Sequence, residues 1–184
     1  MQDKVKDLNK NKILDAALQI FVKKGYAETR MDDIVKDSGV SKGAIYHYYS
    51  SKKDLFLDLI NFWEEFYFPN ILDKKYRNKK AAGKLREIAK DVILTFKDKK
   101  YVFLAELEIW SLANHDEAVR SRTKKLYTNL IKLFSSIIRE GIENNEFKKI
   151  NVNIAALSIM TSLQGVIWFS IFEESKLSAE EYLT

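Results

Sequence analysis

The chain has very few of the residues that end helices or form tight turns. Its 184 residues include one proline and six glycines, whereas a fold of many strands needs such residues at each of its turns. Apolar side chains instead recur three and four positions apart, as at Ile13, Ala17 and Ile20, which is the spacing of one helix face. Because 46% of the residues are hydrophobic and 31% are charged, the chain can bury a core. We therefore expect an all-α protein.

The composition argues against most enzyme chemistry. The sequence has no cysteine and two histidines, which excludes a thiolate nucleophile and disfavours a metal site or triad built on histidine. GxGxxG and HExxH motifs are absent, so we expect neither catalysis nor a cofactor. Residues 1–11 lack the apolar segment of a secretory signal, and a chain without cysteine suits a reducing cytoplasm. We expect a cytoplasmic protein.

Residues 1–55 are predicted to form a domain of three short helices and the start of a fourth. The helices fall at about 10–24, 29–38 and 41–48, with the fourth starting at Ser51. Gly25 follows the first helix, and Thr29 with Asp32 forms a capping box for the second. Gly39 ends the second helix because glycine tolerates a positive φ, and Ser41 opens the third. A turn this short between two helices is typical of a helix-turn-helix.

Residues 56–184 are predicted to form a second helical domain. The fourth helix continues into it and ends or kinks at Pro69, since proline removes a backbone donor. Further helices are expected at about 82–98, 101–113, 116–143 and 151–172, with a last one beginning at Ser178.

The start of the third helix has the composition of a DNA-reading element. Residues 41–44 are small or cationic, so their backbone can approach base edges in the major groove. Lys42 can donate to guanine, and Ala44 can contact a thymine methyl. Helix N-termini also favour phosphate, although Thr29 is equally well explained as a cap, and Tyr48 as a core residue. The candidate DNA-binding residues are Thr29, Arg30, Ser41, Lys42, Gly43, Ala44, Tyr46, His47 and Lys52.

Two motifs carry a family resemblance. Residues 39–49 read GVSKGAIYHYY, and residues 16–26 read AALQIFVKKGY. Over about residues 12–60 the chain resembles the TetR/AcrR family of bacterial transcriptional regulators. The resemblance implies a helix-turn-helix domain joined to a C-terminal helical domain for ligand binding and dimerisation. It also implies a homodimer on double-stranded, palindromic operator DNA, acting as a repressor that a small, largely apolar inducer releases.

Residues 150–172 contain no charged side chain. A stretch this long raises the alternative of a helical adaptor or a membrane-associated protein, but polar residues such as Gln164 argue against a membrane span. A helix this apolar needs cover on nearly all sides, and a second subunit is the simplest cover. The resemblance, which extends to EGIENNEF at 140–147, implies a four-helix dimer interface here. The small-residue face predicted to form it consists of Ala155, Ser158, Ser162, Gly165 and Phe169.

The second domain is rich in aromatic residues. Large rings with a few polar groups line apolar ligand cavities, although each ring alone is more simply explained as core. By resemblance, an inducer pocket lies among the helices of this domain. The candidates for its inward-facing lining are Phe62, Phe66, Leu107, Trp110, Tyr127, Ile131, Gln164 and Trp168.

The formal net charge of +5 permits a nucleic-acid partner without locating it. Residues 69–100 hold eleven basic and four acidic side chains, whereas residues 1–55 hold eleven and eight. The motif places DNA contact in the less basic segment. We therefore interpret 69–100 as a connector and a solvated helix face, with an acidic ligand or an additional phosphate contact as the alternative.

Overall fold

The helices account for nearly all of the chain that the structure describes. The computed structural model describes residues 2–67 and 79–171, with the side chains of 2–7, 64–67, 166 and 169–171 excepted. These residues form eight helices and no strand, so the all-α prediction is confirmed. The helices are α1 (Gln2–Glu28), α2 (Met31–Ser38), α3 (Lys42–Tyr48), α4 (Lys52–Tyr67), α5 (Ala81–Asp98), α6 (Lys100–Ala113), α7 (Glu117–Glu143) and α8 (Val152–Ile171). The side chains of Phe66 and Phe169, Pro69 and the helix expected from Ser178 lie outside the described residues.

Two glycines set the geometry around the short helices. Gly25 interrupts α1 with φ 77° and ψ 156°, where the first helix was predicted to end. Gly39 ends α2 in the left-handed region, at φ 65°. Residues with a Cβ rarely adopt these angles. Ser41 then caps α3, because its Oγ accepts the Ala44 N–H at 3.3 Å. The predicted helix-turn-helix is thus present, and Ile45 is fully buried on its inner side.

The cap of α2 differs from the prediction by one residue. The N-cap is Arg30, whose backbone N–H donates to Asp33 Oδ2 at 2.9 Å. The expected pairing of Thr29 with Asp32 is therefore wrong. The physical reason is that the Thr29 hydroxyl is already engaged, since it donates to the carbonyl of Gly25 at 2.7 Å.

One of two compact units comprises Met1–Phe66 and Lys100–Lys124. Within it α1 packs against α2 and α6, and α2 packs against α3. The Trp63 indole donates to the carbonyl of Val102 at 2.7 Å, and the Tyr101 hydroxyl donates to Asp15 Oδ1 at 2.7 Å. The helix-turn-helix therefore shares a packing unit with α6, which the division at residue 55 did not anticipate. That division, drawn on function, stays a prediction.

The second compact unit comprises Tyr67–Lys99 and Lys125–Thr184, and in it α5 packs against α8. The carboxylate of Glu146, between α7 and α8, accepts the N–H groups of Ala81 and Ala82 at 3.2 and 3.3 Å and so caps α5. Lys84 donates to both carboxylate oxygens of Glu140 at 2.6 Å. Part of the basic 69–100 stretch thus holds α5 to the end of α7, rather than only facing solvent.

Candidate nucleic-acid interface

The exposed face of α3 gathers four of the predicted DNA-binding residues. Lys42, Gly43, Tyr46 and His47 are all exposed, and Tyr46 keeps 45% of its surface accessible. Since a helix turns about 100° per residue, these four positions span an arc of roughly 140° on one side of α3. We call these four residues the α3 front. Ser41 is exposed at the N-cap, Ala44 is half-buried, and Arg30 is exposed at the start of α2.

Lys42 is held by an acidic neighbour. Its Nζ lies 2.7 Å from Asp32 Oδ1, and both side chains are largely exposed. The hydrogen bond from this ammonium to Asp32, together with the charge of that carboxylate, raises the pKa of Lys42. An ion pair so open to water contributes little to stability, so a phosphate or a base edge can replace Asp32. Sequence reasoning missed this pair because Asp32 was assigned to a helix cap, and no local spacing rule links residues ten apart.

Gly43 has no structural reason to be glycine. A Cβ built at this position meets no atom within 4 Å, and its φ is not positive. Glycine weakens a helix relative to alanine, so its presence in α3 carries a cost that nothing else in the described chain explains. A close approach of the α3 backbone to a partner would explain it.

Two predicted DNA-binding residues are engaged within the fold. Thr29 is 1% exposed. The ammonium of Lys52 donates to the carbonyls of Tyr26, Ala27 and Thr29 at 2.6, 3.1 and 2.7 Å, and it lies 4.4 Å from the centre of the Tyr26 ring. Burial lowers the pKa of Lys52. The Lys52 side chain thus joins the end of α1 to α4, whereas the Thr29 hydroxyl bonds locally to Gly25. Contact of these two side chains with phosphate stays a prediction.

The expected core residue Tyr48 is half-buried, whereas Tyr49 is the buried tyrosine of this segment. Tyr49 follows the last residue of α3, and its N–H donates to the carbonyl of Ile45 at 2.9 Å. The sequence YHYY at 46–49 does not by itself show which ring turns inward, because the helix ends within it.

The candidate pocket residues differ in how far they are buried. Phe62 is buried, whereas Leu107 and Trp110 are exposed to 39% and 46%. These two residues lie three positions apart on one side of α6, whereas Val102, Ala105 and Ile109 lie on its buried side. The exposure of Leu107 and Trp110 does not support the prediction that they face inward. The half-buried candidates are Tyr127, Ile131, Gln164 and Trp168. The pocket itself stays a prediction.

The start of α8 carries exposed apolar residues that sequence reasoning missed. Ile154 and Leu157 are three residues apart in α8 and are 63% and 50% exposed, and Ile150, two residues before the helix, is 50% exposed. We call them the α8 stripe. Of the small-residue face, Ser158 is exposed and the backbone at Gly165 has open space where a Cβ would stand. Ala155 and Ser162 are half-buried. Within the described ranges, α8 included, no helix has the length and apolarity to cross a membrane.

Both parts of the chain match family models. Residues 13–59 match the model of bacterial regulatory proteins of the tetR family, and residues 61–180 match the C-terminal region of QacR-like proteins. The first match contains the helix-turn-helix with the whole α3 front. The second spans well over half of the chain.

Individual relatives agree with these matches over most of their lengths. The chain is 26% identical to the transcriptional regulator QacR of Staphylococcus aureus, covering 88% of this chain and 85% of the relative. It is 24% identical to the fatty acid metabolism regulator protein of Bacillus subtilis, covering 89% and 84%. Among solved structures, the regulator FadR from B. subtilis with stearoyl-CoA has a TM-score of 0.79 at 19% identity, covering 94% of each chain. The chain belongs to the tetR family of bacterial regulatory proteins, with a QacR-like C-terminal region.

Proposed function

We propose that this DNA-binding transcriptional regulator is a cytoplasmic repressor, which binds a palindromic operator as a homodimer and is released by a small, largely apolar ligand. The observation that carries the proposal is the α3 front. Its side chains and its glycine are exposed, and none of them is needed for the core. A helix that presents small and cationic residues at its N-terminal end suits the major groove.

The residues that we propose for DNA contact form two groups. Lys42 and Ala44 would read base edges, with Gly43 allowing the backbone to come close. Tyr46, His47 and Arg30 would donate to phosphates, together with the α3 N-terminus at Ser41. Because few of these side chains can specify a base, part of the sequence preference would come from DNA shape.

Fluorescence anisotropy tests operator binding directly. The probe is a labelled duplex of the DNA that flanks the protein's own coding sequence, and its control is a duplex of equal length with a shuffled sequence. We expect preferential binding that weakens steeply with salt, because phosphate contacts release counterions. Equal affinity for the two duplexes over the whole flanking region would contradict the proposed operator function.

The α8 stripe supports a homodimer. The three exposed, large apolar side chains would be covered by the same residues of a second subunit. The small-residue face, Ala155, Ser158, Ser162 and Gly165, would let the two α8 helices approach closely. Two reading heads joined in this way would meet successive major grooves of a palindrome.

Light scattering on the purified chain tests the dimer. We expect twice the 21.5 kDa mass of one chain, and we expect Leu157→Lys to shift the mass toward the monomer. Leu94→Lys is the matched control, since Leu94 on α5 is 52% exposed and lies outside the stripe. A monomeric wild type, or equal effects of the two substitutions, would contradict a dimer through α8.

Ligand release is supported by structural neighbours and by the aromatic content of the chain. Two neighbours were solved with small molecules, FadR with stearoyl-CoA and a regulator from Saccharomonospora viridis with choline, the latter at TM-score 0.80 and 18% identity. In our proposal Tyr127, Ile131, Gln164 and Trp168 of the second compact unit contribute to a cavity whose ligand favours an arrangement that does not fit the operator.

Release is tested by adding ligands to the operator complex. The panel contains a long-chain acyl thioester, a quaternary ammonium compound and a neutral aromatic compound, each first checked for binding by tryptophan fluorescence. We expect at least one compound that binds to lower the anisotropy of the operator complex. If the compounds that bind leave operator affinity unchanged, ligand release is contradicted while operator binding stands.

A further inference from the structure

The C-terminal end of α3 is anchored by a buried hydroxyl. Tyr49 is 4% exposed, and its hydroxyl donates to Asp58 Oδ2 of α4 at 2.8 Å. Burial and this hydrogen bond raise the pKa of the Tyr49 phenol well above its usual range, so the hydroxyl keeps its proton and acts as a donor. A buried donor without its acceptor is costly. The orientation of Tyr49, and with it the end of α3, therefore depends on where Asp58 stands.

Asp58 is itself held by one residue of α1 and by one residue in the next turn of α4. Lys10 Nζ of α1 lies 2.8 Å from Asp58 Oδ2, and the Asn61 amide donates to Asp58 Oδ1 at 3.4 Å. Burial alone would raise the pKa of Asp58, but hydrogen bonds from Lys10 and Tyr49 outweigh it and lower the pKa overall. The carboxylate is thus charged at neutral pH and bound on both oxygens, which fixes its rotamer.

The chain of hydrogen bonds continues into α7. Arg122 Nη1 donates to Asn61 Oδ1 at 3.1 Å, which orients the amide so that its nitrogen faces Asp58. The sequence of contacts therefore runs from Arg122 through Asn61 and Asp58 to Tyr49. Such chains polarise their members and are stronger than separate bonds. All four residues belong to the same compact unit.

The anchor lies close to the residues that face DNA. Tyr46 and His47 are three and two residues before Tyr49, and α3 has only seven residues, so a movement of its end displaces the α3 front. Specific contacts tolerate displacements of about 0.5 Å. We propose that Asp58 is a positioning residue for operator reading, which acts through Tyr49 and is held by Asn61 and Arg122. The inference rests on the proposed function, since it needs an operator to read.

The test measures specificity together with stability. Tyr49→Phe removes only the hydroxyl, and Asp58→Ala removes its acceptor. For each variant, anisotropy gives the affinity for the operator and for a shuffled duplex, and urea unfolding gives the stability. We expect both substitutions to lower the ratio of the two affinities about 10-fold, with the affinity for shuffled DNA unchanged. We expect the double variant to be no worse than either single variant, because both break the same hydrogen bond.

A second tyrosine provides the matched control. The Tyr101 hydroxyl donates to Asp15 Oδ1 at 2.7 Å, which is the same kind of bond in the same compact unit but joins α6 to α1. Tyr101→Phe should lower stability comparably while leaving the ratio of affinities unchanged. Asp58→Asn should keep most of the preference for operator over shuffled DNA, because its amide oxygen can still accept the hydrogen bond from the Tyr49 hydroxyl.

The outcomes separate the positioning role from the function on which it rests. A wild type that does not prefer operator to shuffled DNA overturns the operator function and the positioning role together. A wild type that prefers operator while Tyr49→Phe keeps the full ratio overturns the positioning role alone. Equal losses of the ratio in Tyr49→Phe and Tyr101→Phe overturn it too, since loss of stability would then explain both.

Discussion

The front and the back of the helix-turn-helix use the same residue types for opposite purposes. On the front, Lys42 and Gly43 are exposed and have little to do in the fold. The back, by which we mean the residues Gly39, Lys52 and Asp58 that hold the fold together, differs. Lys52 is bonded to three carbonyls, and Gly39 has the positive φ that ends α2. The comparison teaches that the residue type alone does not show what a lysine or a glycine does in this motif. Its function follows from the contacts that it makes.

Removing the front should have the largest effect, and that effect should be on binding. The double substitution of Lys42 and Tyr46 by alanine is expected to weaken operator binding about 100-fold, since each contact is worth about 1–3 kcal/mol. Anisotropy on the operator duplex measures this loss. Lys90→Ala, an exposed lysine of α5, removes the same charge and should leave binding nearly unchanged. Unchanged operator affinity in the double variant would show that α3 does not read DNA through its front.

Removing the corresponding charge from the back should affect stability instead. Lys52→Met is expected to lower the free energy of unfolding by about 1–2 kcal/mol, because three carbonyls lose a charged donor. Lys42→Met should change the same quantity by less than about 0.5 kcal/mol, as exposed substitutions do. Urea unfolding followed by circular dichroism gives both values. If the two substitutions changed the free energy of unfolding equally, the two lysines would not differ in their contribution to the fold.

Substitution by alanine should change the free energy of unfolding in opposite directions at the two glycines, Gly43 and Gly39. Gly43→Ala is expected to stabilise the fold by about 0.5–1 kcal/mol but to weaken operator binding about 10-fold, because the new methyl group stands where DNA would approach. Gly39→Ala should destabilise by about 1 kcal/mol, since alanine is strained at φ 65°. Urea unfolding and anisotropy on both variants test this. If Gly43→Ala binds the operator as the wild type does, close approach at Gly43 is wrong.

The smallest expected effect is on the stability that the Asp58 carboxylate contributes at low pH. The folded pKa of Asp58 lies below the usual 3.8, so its stabilising contribution is fully present above about pH 5. It is lost as the pH falls through the lowered folded pKa. Wild type should therefore lose more stability than Asp58→Asn between pH 5 and pH 3, as urea midpoints across that range would show. Parallel curves for the two proteins would mean that the charge of Asp58 does not stabilise the back.

Most of the fold could be predicted because its signals are local. Helix faces, the turn at Gly39 and the Ser41 cap depend on residues within four positions of one another, and the sequence displays such spacings directly. Non-local contacts were missed for the same reason. Glu146 caps α5 from more than sixty residues away, and Tyr101 meets Asp15 across eighty-six. No spacing rule relates such pairs.

In the candidate site, too, some features could be predicted from local sequence and others depend on tertiary contacts. The sequence alone determined that the chain is helical, that a helix-turn-helix lies at residues 29–48, and that Lys42, Gly43, Tyr46 and His47 are candidates for DNA contact. Tertiary structure decided which neighbouring residues turn inward. Carbonyl groups that follow the kink at Gly25 accept hydrogen bonds from Lys52. The buried Tyr49 hydroxyl requires an acceptor, which is Asp58 of α4. Local geometry sets the face of a helix, but polar groups at the ends of helices are satisfied by whatever the rest of the fold brings near.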